Sequence, residues 1–172
     1  MIVRKIMVSL ALITPDNAMT FKSVRLRALQ DSPSAFGSTY AREVQLTDEE
    51  WIVRTHKWEG ERGIGFLAMD DHSDSACGMV CSFLDDHNPT QADLISMWTA
   101  ATHRQQGVGR LLVNAVEDWA RSRGASTLLL MVTSNNACAI AFYERLGFSK
   151  TGLTKPYPNN PDLFEYEMSK AI

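Results

Sequence analysis

The chain has 172 residues, 45% of them apolar and 22% charged, with a formal net charge of −3. This length predicts one domain spanning residues 1–172, with a core large enough to fold without a metal or disulfides. The slightly acidic balance argues against a nucleic-acid-binding module, which needs clustered positive charge.

The first 30 residues predict a strand followed by a helix. An apolar run over residues 6–13 follows two basic residues, as in a signal peptide, but Thr14-Pro15-Asp16-Asn17 stands where a small-residue cleavage site would be. The run is also far shorter than the roughly 20 residues that cross a bilayer. We therefore expect a first strand over 6–13, no membrane association, and a helix capped by Asp16 or Asn17 that ends near Gln30.

The middle of the chain predicts a second helix and then three strands. Thr47 with Glu50 three residues later fits a capping box, so a helix should begin there. Runs over 63–69 and 76–84, separated by a turn-rich stretch, predict a hairpin, and a strand over 93–99 follows.

The second half predicts a strand–helix–strand unit. Apolar residues at three- and four-residue spacing run from Val108 to Ala120, and Gly124 suits the end of that helix. The apolar run over 128–132 predicts a buried strand, and a crossover helix of this kind joins parallel strands. The remaining predicted elements are a helix over 137–146, capped by Asn135 or Asn136, and strands over 151–155 and 164–169. The fold class is therefore α/β, with a mixed sheet and helices on both faces.

The cysteines and histidines indicate neither a disulfide framework nor a metal site. Cys77, Cys81 and Cys138 are odd in number and form no Cys-x-x-Cys pair, so a reducing, cytoplasmic setting is expected. The four histidines show no His-x-x-x-His or His-Glu-x-x-His spacing, so we expect no metal.

A glycine-rich segment between the strand over 93–99 and the next helix is the candidate binding loop: Arg104-Gln105-Gln106-Gly107-Val108-Gly109-Arg110. A Walker loop is excluded because no Gly-Lys-Ser/Thr follows, and a dinucleotide fingerprint because Leu112 stands at the third glycine position. Free N–H groups at a helix N-terminus suit an anion, and glycines let the main chain approach it. Two interpretations remain open, a phosphate or pyrophosphate cradle and an ordinary tight turn.

Two motifs in this region resemble the signatures of the GNAT-superfamily N-acetyltransferases. The pattern R-x-x-G-x-G at Arg104, Gly107 and Gly109 is similar to the family's acetyl-CoA-binding motif. Asn136, seven residues before Tyr143 in a helix that closes on Leu-Gly-Phe, is similar to the second signature. The resemblance covers about residues 93–148. It implies a GNAT-like fold, with a mostly antiparallel central sheet, one parallel splayed strand pair and helices on both faces.

The resemblance also implies an activity, the direct attack of a primary amine on acetyl-CoA, which serves as co-substrate. Backbone N–H groups of the glycine-rich segment would hold the pyrophosphate, and the strand edge would bond the pantetheine chain. Asn136 would contact the pantetheine or cap its helix, and Tyr143 would protonate the departing thiolate as general acid. The implied cofactor-binding set is Met97, Trp98, Thr99, Arg104, Gln105, Gln106, Gly107, Val108, Gly109, Arg110 and Asn136.

The acceptor side is less defined by the sequence. We expect a pocket between the early helices and the last hairpin, shaped by Phe36, Tyr40, Tyr157 and Glu165. The expected acceptor is the amine of a small molecule. The alternatives are a protein N-terminal or lysine acetyltransferase and a non-catalytic acyl-CoA-binding domain. Apolar residues on the last strands leave a homodimer open. The candidates for the base, including Ser96 acting through waters, are Glu43, Asp93, Ser96, Glu165 and Glu167.

Overall fold

A seven-stranded mixed sheet organises the computed structural model, which describes residues 7–172. Its strands are β1 (Val8–Leu12), β2 (Gly63–Asp70), β3 (Ser75–Leu84), β4 (Gln91–Thr99), β5 (Thr127–Thr133), β6 (Ser149–Pro156) and β7 (Phe164–Ala171). The helices are α1 (Ala18–Asp31), α2 (Tyr40–Glu43), α3 (Asp48–Thr55), α4 (Val108–Ser122) and α5 (Ala137–Arg145).

The strand order is β1-β2-β3-β4-β5-β7-β6, and β4–β5 is the parallel pair of this sheet. Its other neighbouring strands are antiparallel. On β3, Gly78 faces Leu112 of α4, whereas its neighbour Met79 pairs with Trp98, whose ring lies under Arg27 of α1. Successive strand residues point to opposite faces, so α1 and α4 cover opposite sides of the sheet. The predicted fold class is confirmed.

Local sequence signals account for the best-predicted helices. In α3, Thr47 Oγ1 accepts from the Glu50 N–H at 3.2 Å, and Glu50 Oε2 accepts from the Thr47 N–H at 2.7 Å, which completes the predicted capping box. The apolar stripe of α4 is buried against the sheet. Gly124 follows that helix with φ of +87°, the left-handed conformation expected of a helix-ending glycine.

Two local predictions differ from the structure, and one short helix was not predicted. Residue 6 of the predicted first strand lies outside the described residues, and β1 ends at Leu12. Asn17 precedes α1 but does not cap it, because its side chain is bonded to the Thr14 N–H and the Leu12 carbonyl of the preceding turn. The four-residue helix α2 was not predicted, since one turn is too short to show a period.

The parallel strands β4 and β5 separate after a short stretch of pairing. They pair through residues 91–93 and 127–129, although they continue to Thr99 and Thr133. In β4, Ser96 has φ of +56° at a register shift that sets two residues against Val80 of β3. Such a bulge bends its strand, and here the bend accompanies a gap that opens between the C-terminal ends of β4 and β5.

None of the described helices is long and apolar enough to cross a membrane.

Candidate functional site

The N-terminus of α4 lies beside this gap and presents free backbone donors. Gln105 and Gly107 adopt positive φ values of +60° and +87°, and Gly107 precedes the helix without a side-chain cap. The first N–H groups of a helix have no partner within the helix, and the helix dipole adds positive potential there. The segment from Gln105 to Arg110 is therefore a cradle suited to an anion, which we call the anion cradle.

The two glycines of the anion cradle are required for different structural reasons. A Cβ on Gly107 would meet no atom within 4 Å, so this residue is required for its positive φ. A Cβ on Gly109 would lie 2.9 Å from Phe142 Cζ and 3.2 Å from Met97 Cε. Gly109 therefore lets α4 approach α5 and β4 closely, a packing reason that the sequence did not reveal.

Side-chain contacts fix the loop that leads into the anion cradle. Arg104 donates from Nε to the Thr99 carbonyl at 2.9 Å and from Nη2 to Asp31 Oδ2. Gln106 Nε2 donates to the Thr102 carbonyl at 2.9 Å. Arg110 is exposed and has no ion-pair partner within residues 7–172. Of the two arginines predicted to bind the cofactor, Arg110 is thus the one whose charge is free.

The open edge of β4 forms the wall of the gap. From Leu94 onward this edge has left its parallel partner, so its backbone groups can bond an extended chain as an added strand would. The Trp98 side chain is buried on the α1 side of the sheet, where Nε1 donates to Asp31 at 3.0 Å. Thr99 Oγ1 is buried and has no hydrogen-bond partner in the described structure. The border of the gap therefore includes backbone groups of β4 that have no strand partner on that edge.

Helix α5 follows β5, the strand on the other side of the gap, with Asn136 just before the helix and Tyr143 within it. Asn136 Oδ1 accepts from the Ala139 N–H at 3.2 Å and so caps the helix. Tyr143 is 7% exposed, and its ring packs 5.2 Å from that of Phe142 and 5.6 Å from that of Phe148. Burial raises the pKa of the Tyr143 phenol well above its ordinary value. This phenol therefore carries its proton at physiological pH, as an unperturbed tyrosine also does.

Two loops meet over the end of β5, on the side where the acceptor pocket was predicted. The Tyr157 hydroxyl donates to the Phe36 carbonyl at 2.7 Å and lies 3.1 Å from that of Pro33. Thr133 Oγ1, at the end of β5, donates to the Ser34 carbonyl at 2.6 Å. The loop after α1 and the β6–β7 loop are thus joined. Of the predicted acceptor residues, Phe36 and Tyr157 are buried in this junction, whereas Tyr40 is half-buried.

The pattern of the Acetyltransferase (GNAT) family matches residues 26–148. The chain belongs to the GNAT acetyltransferase family. It is 32% identical over 99 residues to the [ribosomal protein bS18]-alanine N-acetyltransferase of Escherichia coli K12, a match that covers 58% of this chain and 64% of the relative. It is 50% identical over 54 residues to streptothricin acetyltransferase of Streptomyces lavendulae, covering 31% of this chain and 29% of that enzyme.

A solved N-acetyltransferase structure has the same fold over nearly the whole chain. It is the PaiA N-acetyltransferase from Thermoplasma acidophilum in complex with coenzyme A. It superimposes with a TM-score of 0.76 at 12% identity, covering 96% of this chain and 99% of that one. At this identity, the likeness shows that the two proteins share a fold.

The carboxylates of this GNAT protein differ in their readiness to take a proton. Burial alone would raise the pKa of Glu43, but the hydrogen bonds and charges of Arg25 and Arg54 more than offset it and hold that pKa below its ordinary value. Arg25 binds both carboxylate oxygens at 2.9 and 3.1 Å. By contrast, burial raises the pKa values of Asp93 and Glu165. Asp93 and Glu165 are therefore better proton acceptors than Glu43.

Two candidate bases, Asp93 and Ser96, lie on β4, the strand that borders the gap. Asp93 belongs to the last paired position of β4 and β5, so it lies at the closed end of the gap. Ser96, at the bulge, accepts a hydrogen bond from Arg25 Nη1 at 3.2 Å, so its hydroxyl already has a partner.

No group of three or more His, Cys, Asp or Glu side chains that could hold a metal occurs in the described part of the chain.

Two open cavities lie on the α3 side of the sheet, and their lining differs from the predicted acceptor residues. One, of about 560 Å³, is lined partly by Phe83 and Ile95, and another, of about 620 Å³, by residues of α2 and α3. None of the four predicted acceptor residues lines either cavity. The exposure of Phe83 and Ile95 was not predicted, since alternation within a buried sheet does not show which positions lack a covering helix.

Proposed function

We propose that the protein is an N-acetyltransferase that transfers the acetyl group of acetyl-CoA to the primary amine of a small molecule. The observation that carries this proposal is the gap between β4 and β5 beside the N-terminus of α4. A slot for an extended chain next to an anion cradle matches a pantetheine arm joined to a pyrophosphate. Family membership and the coenzyme A complex of the PaiA structure support the same assignment.

The residues present fit this co-substrate. In the proposal, the N–H groups of Gln105–Arg110 hold the pyrophosphate, with Arg110 supplying a free cationic side chain. The open edge of β4 at residues 97–99 bonds the pantetheine, and the unpaired Thr99 hydroxyl offers a further contact. Asn136 lies at the start of α5, where it caps the helix that carries Tyr143.

The chemistry requires little of the protein beyond placement and proton transfer. A neutral amine attacks the thioester carbonyl, so a C–N bond forms, and the C–S bond then breaks. A backbone N–H near Trp98 stabilises the oxyanion, and Tyr143 gives its proton to the leaving thiolate. Asp93 and Glu165 are the carboxylates whose raised pKa values suit removal of the amine proton. No protein nucleophile is required because the acetyl group is already activated.

The acceptor is proposed to be small because the two loops over β5 are joined. The hydrogen bond from Tyr157 to the Phe36 carbonyl holds them together, and in the proposal this leaves room beside the gap for a small amine rather than for an extended polypeptide. A protein α-amino group is the second candidate, since the E. coli relative is named for a ribosomal protein. The match with streptothricin acetyltransferase is higher in identity but spans fewer residues.

The test is thiol release from acetyl-CoA in the presence of a panel of amines and of peptides with free N-termini. Turnover with a small amine, faster than with any peptide, is the expected result. Turnover with peptides alone would replace the small-molecule acceptor with a protein one. Tight coenzyme A binding without turnover on any amine would identify a non-catalytic binding domain and overturn the proposal.

A further inference from the structure

We propose that Asp31 is a positioning residue for the acetyl-CoA site and that Arg104 acts through it. In this arrangement Arg104 braces the loop between β4 and the anion cradle, and the phosphate contact belongs to Arg110. The inference rests on the proposed function, because it assumes that the anion cradle holds the pyrophosphate of acetyl-CoA.

Asp31 joins three parts of the molecule through one carboxylate oxygen. Its Oδ2 accepts from Trp98 Nε1 at 3.0 Å, from Arg104 Nη2 and from Ser32 Oγ at 2.8 Å. The carboxylate thereby links the last turn of α1 to the end of β4 and to the loop before α4. The hydrogen bond from Trp98 first, and those from Ser32 and Arg104 next, hold the pKa of Asp31 below its ordinary value.

Arg104 spans the turn that separates the two halves of the cofactor site. Its Nε donates to the carbonyl of Thr99, the last residue of β4, while Nη2 binds Asp31. A guanidinium is a planar fork, so these two bonds fix its orientation as well as its position. The distance between the open edge of β4 and the anion cradle is therefore set partly by the Asp31–Arg104 pair.

Arg110 has the opposite surroundings. It lies in the first turn of α4, is exposed, and has no ion-pair partner within the described residues. A cation near a helix N-terminus is unfavourable because it opposes the helix dipole. A bound phosphate removes that cost, so Arg110 is suited to direct contact, whereas Arg104 is already engaged.

The direction in which Asp31→Asn changes coenzyme A affinity separates a positioning role from a purely electrostatic one. Asp31 is a negative charge near the proposed site of a polyanion, so its removal by Asp31→Asn should tighten binding if only charge mattered. The same substitution releases Arg104, which would strengthen binding again if Arg104 could usefully contact the phosphate. Loss of affinity is expected only if the Asp31–Arg104 pair holds the site in place.

The experiment measures coenzyme A affinity by calorimetry and steady-state kinetics in Asp31→Asn and in a control, Asp48→Asn. Asp48 is a 62% exposed carboxylate that binds Lys22 at 2.7 Å. We expect Asp31→Asn to raise the Kd of coenzyme A and the KM of acetyl-CoA about fivefold, as for loss of a partly exposed charged pair. We expect kcat and the acceptor KM to stay within about twofold of wild type, and the control to show no change. An unchanged or lower Kd in Asp31→Asn would overturn the inference.

A second pair of variants keeps the inference testable if Asp31→Asn folds poorly. Positioning predicts that Arg104→Gln weakens coenzyme A binding without changing its salt dependence, whereas Arg110→Gln reduces that dependence. Where Asp31→Asn does fold, positioning also predicts that the Asp31→Asn/Arg104→Gln double variant binds coenzyme A no more weakly than the weaker of the two single variants. A reduced salt dependence in Arg104→Gln would assign the phosphate contact to Arg104 instead. If the wild-type protein binds no coenzyme A, the proposed function fails, which is distinct from failure of the Asp31 role.

Discussion

On the α4 side of the gap, backbone N–H groups of residues 105–110 lie at a helix N-terminus without side-chain caps. On the proposed acceptor side, by contrast, hydrogen bonds of side chains join two loops. The first region consists of backbone N–H groups without partners, in a loop shaped by the positive φ values of Gln105 and Gly107. The second consists of used donors, since Tyr157, Thr133 and Asn159 all bond to carbonyls of the loop after α1.

This difference suits two kinds of ligand recognition. An open backbone cradle binds any ligand that carries the right anion, so it suits a co-substrate shared by many enzymes. A closed, side-chain-built junction depends on the shape of what it meets, so it suits selection of the acceptor. The predictions below separate the two regions by affecting one of them at a time.

The largest effect is expected from Glu43→Gln, in the buried ion pair that joins α2 to α1. This change leaves Arg25 without its buried ionic partner, and we expect a loss of about 3 kcal/mol in the free energy of unfolding, measured by urea denaturation at pH 7. The control is Glu144→Gln, at an exposed position of α5.

The Glu43 pair also has a predicted pH dependence. The pKa of Glu43 is lower in the folded protein than its ordinary value, so its stabilisation is present at neutral pH and is lost as the pH falls through the lowered pKa. The free energy of unfolding of wild type should therefore decrease more on acidification than that of Glu43→Gln. Parallel pH profiles would contradict this assignment.

Tyr143→Phe should separate chemistry from binding. Removal of a general acid is expected to lower kcat about 100-fold, while the Kd of coenzyme A changes by less than about twofold because the ring packing is kept. Tyr166→Phe, on the half-buried strand β7, is the matched control and should retain activity. An equal loss of affinity in Tyr143→Phe would show that the phenol acts in binding or structure.

Gly107→Ala tests the open cradle with a built-in control at the other end of the same helix. Gly107 and Gly124 both have φ of +87°, and a Cβ added to either would meet no atom within 4 Å, so alanine should strain the backbone equally at the two positions. We expect both variants to lose about 1 kcal/mol of stability, and Gly107→Ala alone to weaken coenzyme A binding about tenfold. Equal affinities of the two variants would show that the loop conformation does not determine binding.

The smallest expected effect belongs to Tyr157→Phe, which removes the hydroxyl that joins the two acceptor loops. Loss of this buried hydrogen bond should cost about 1 kcal/mol of stability. The KM for the amine should rise about threefold, while the Kd of coenzyme A stays constant. A change in coenzyme A affinity without one in the acceptor KM would show that the two sides are not separate.

The sequence predicted the elements around the proposed co-substrate site better than the contacts of the proposed acceptor site, because the signals for those elements are local. Glycine spacing, the apolar period of α4 and the short run of β5 all lie within residues 93–148, and each depends on neighbours a few positions away. The acceptor junction joins Tyr157 to Phe36 across 121 positions, and no local pattern encodes that contact.

Asp31 shows the same limit within the donor site. It follows a predicted helix and carries no motif, yet it binds side chains 67 and 73 positions away, those of Trp98 and Arg104. The packing reason for Gly109 was hidden similarly, since it depends on Phe142 of another helix. Local periods predict the elements, but side-chain partners between elements require the folded chain.

The most direct test of the central claim is an amide NMR titration of the protein with coenzyme A. If backbone donors at the start of α4 and the open edge of β4 hold the co-substrate, the largest shift changes will fall on residues 105–110 and 97–99. Shift changes confined to other parts of the chain, or none at saturating coenzyme A, would contradict the account.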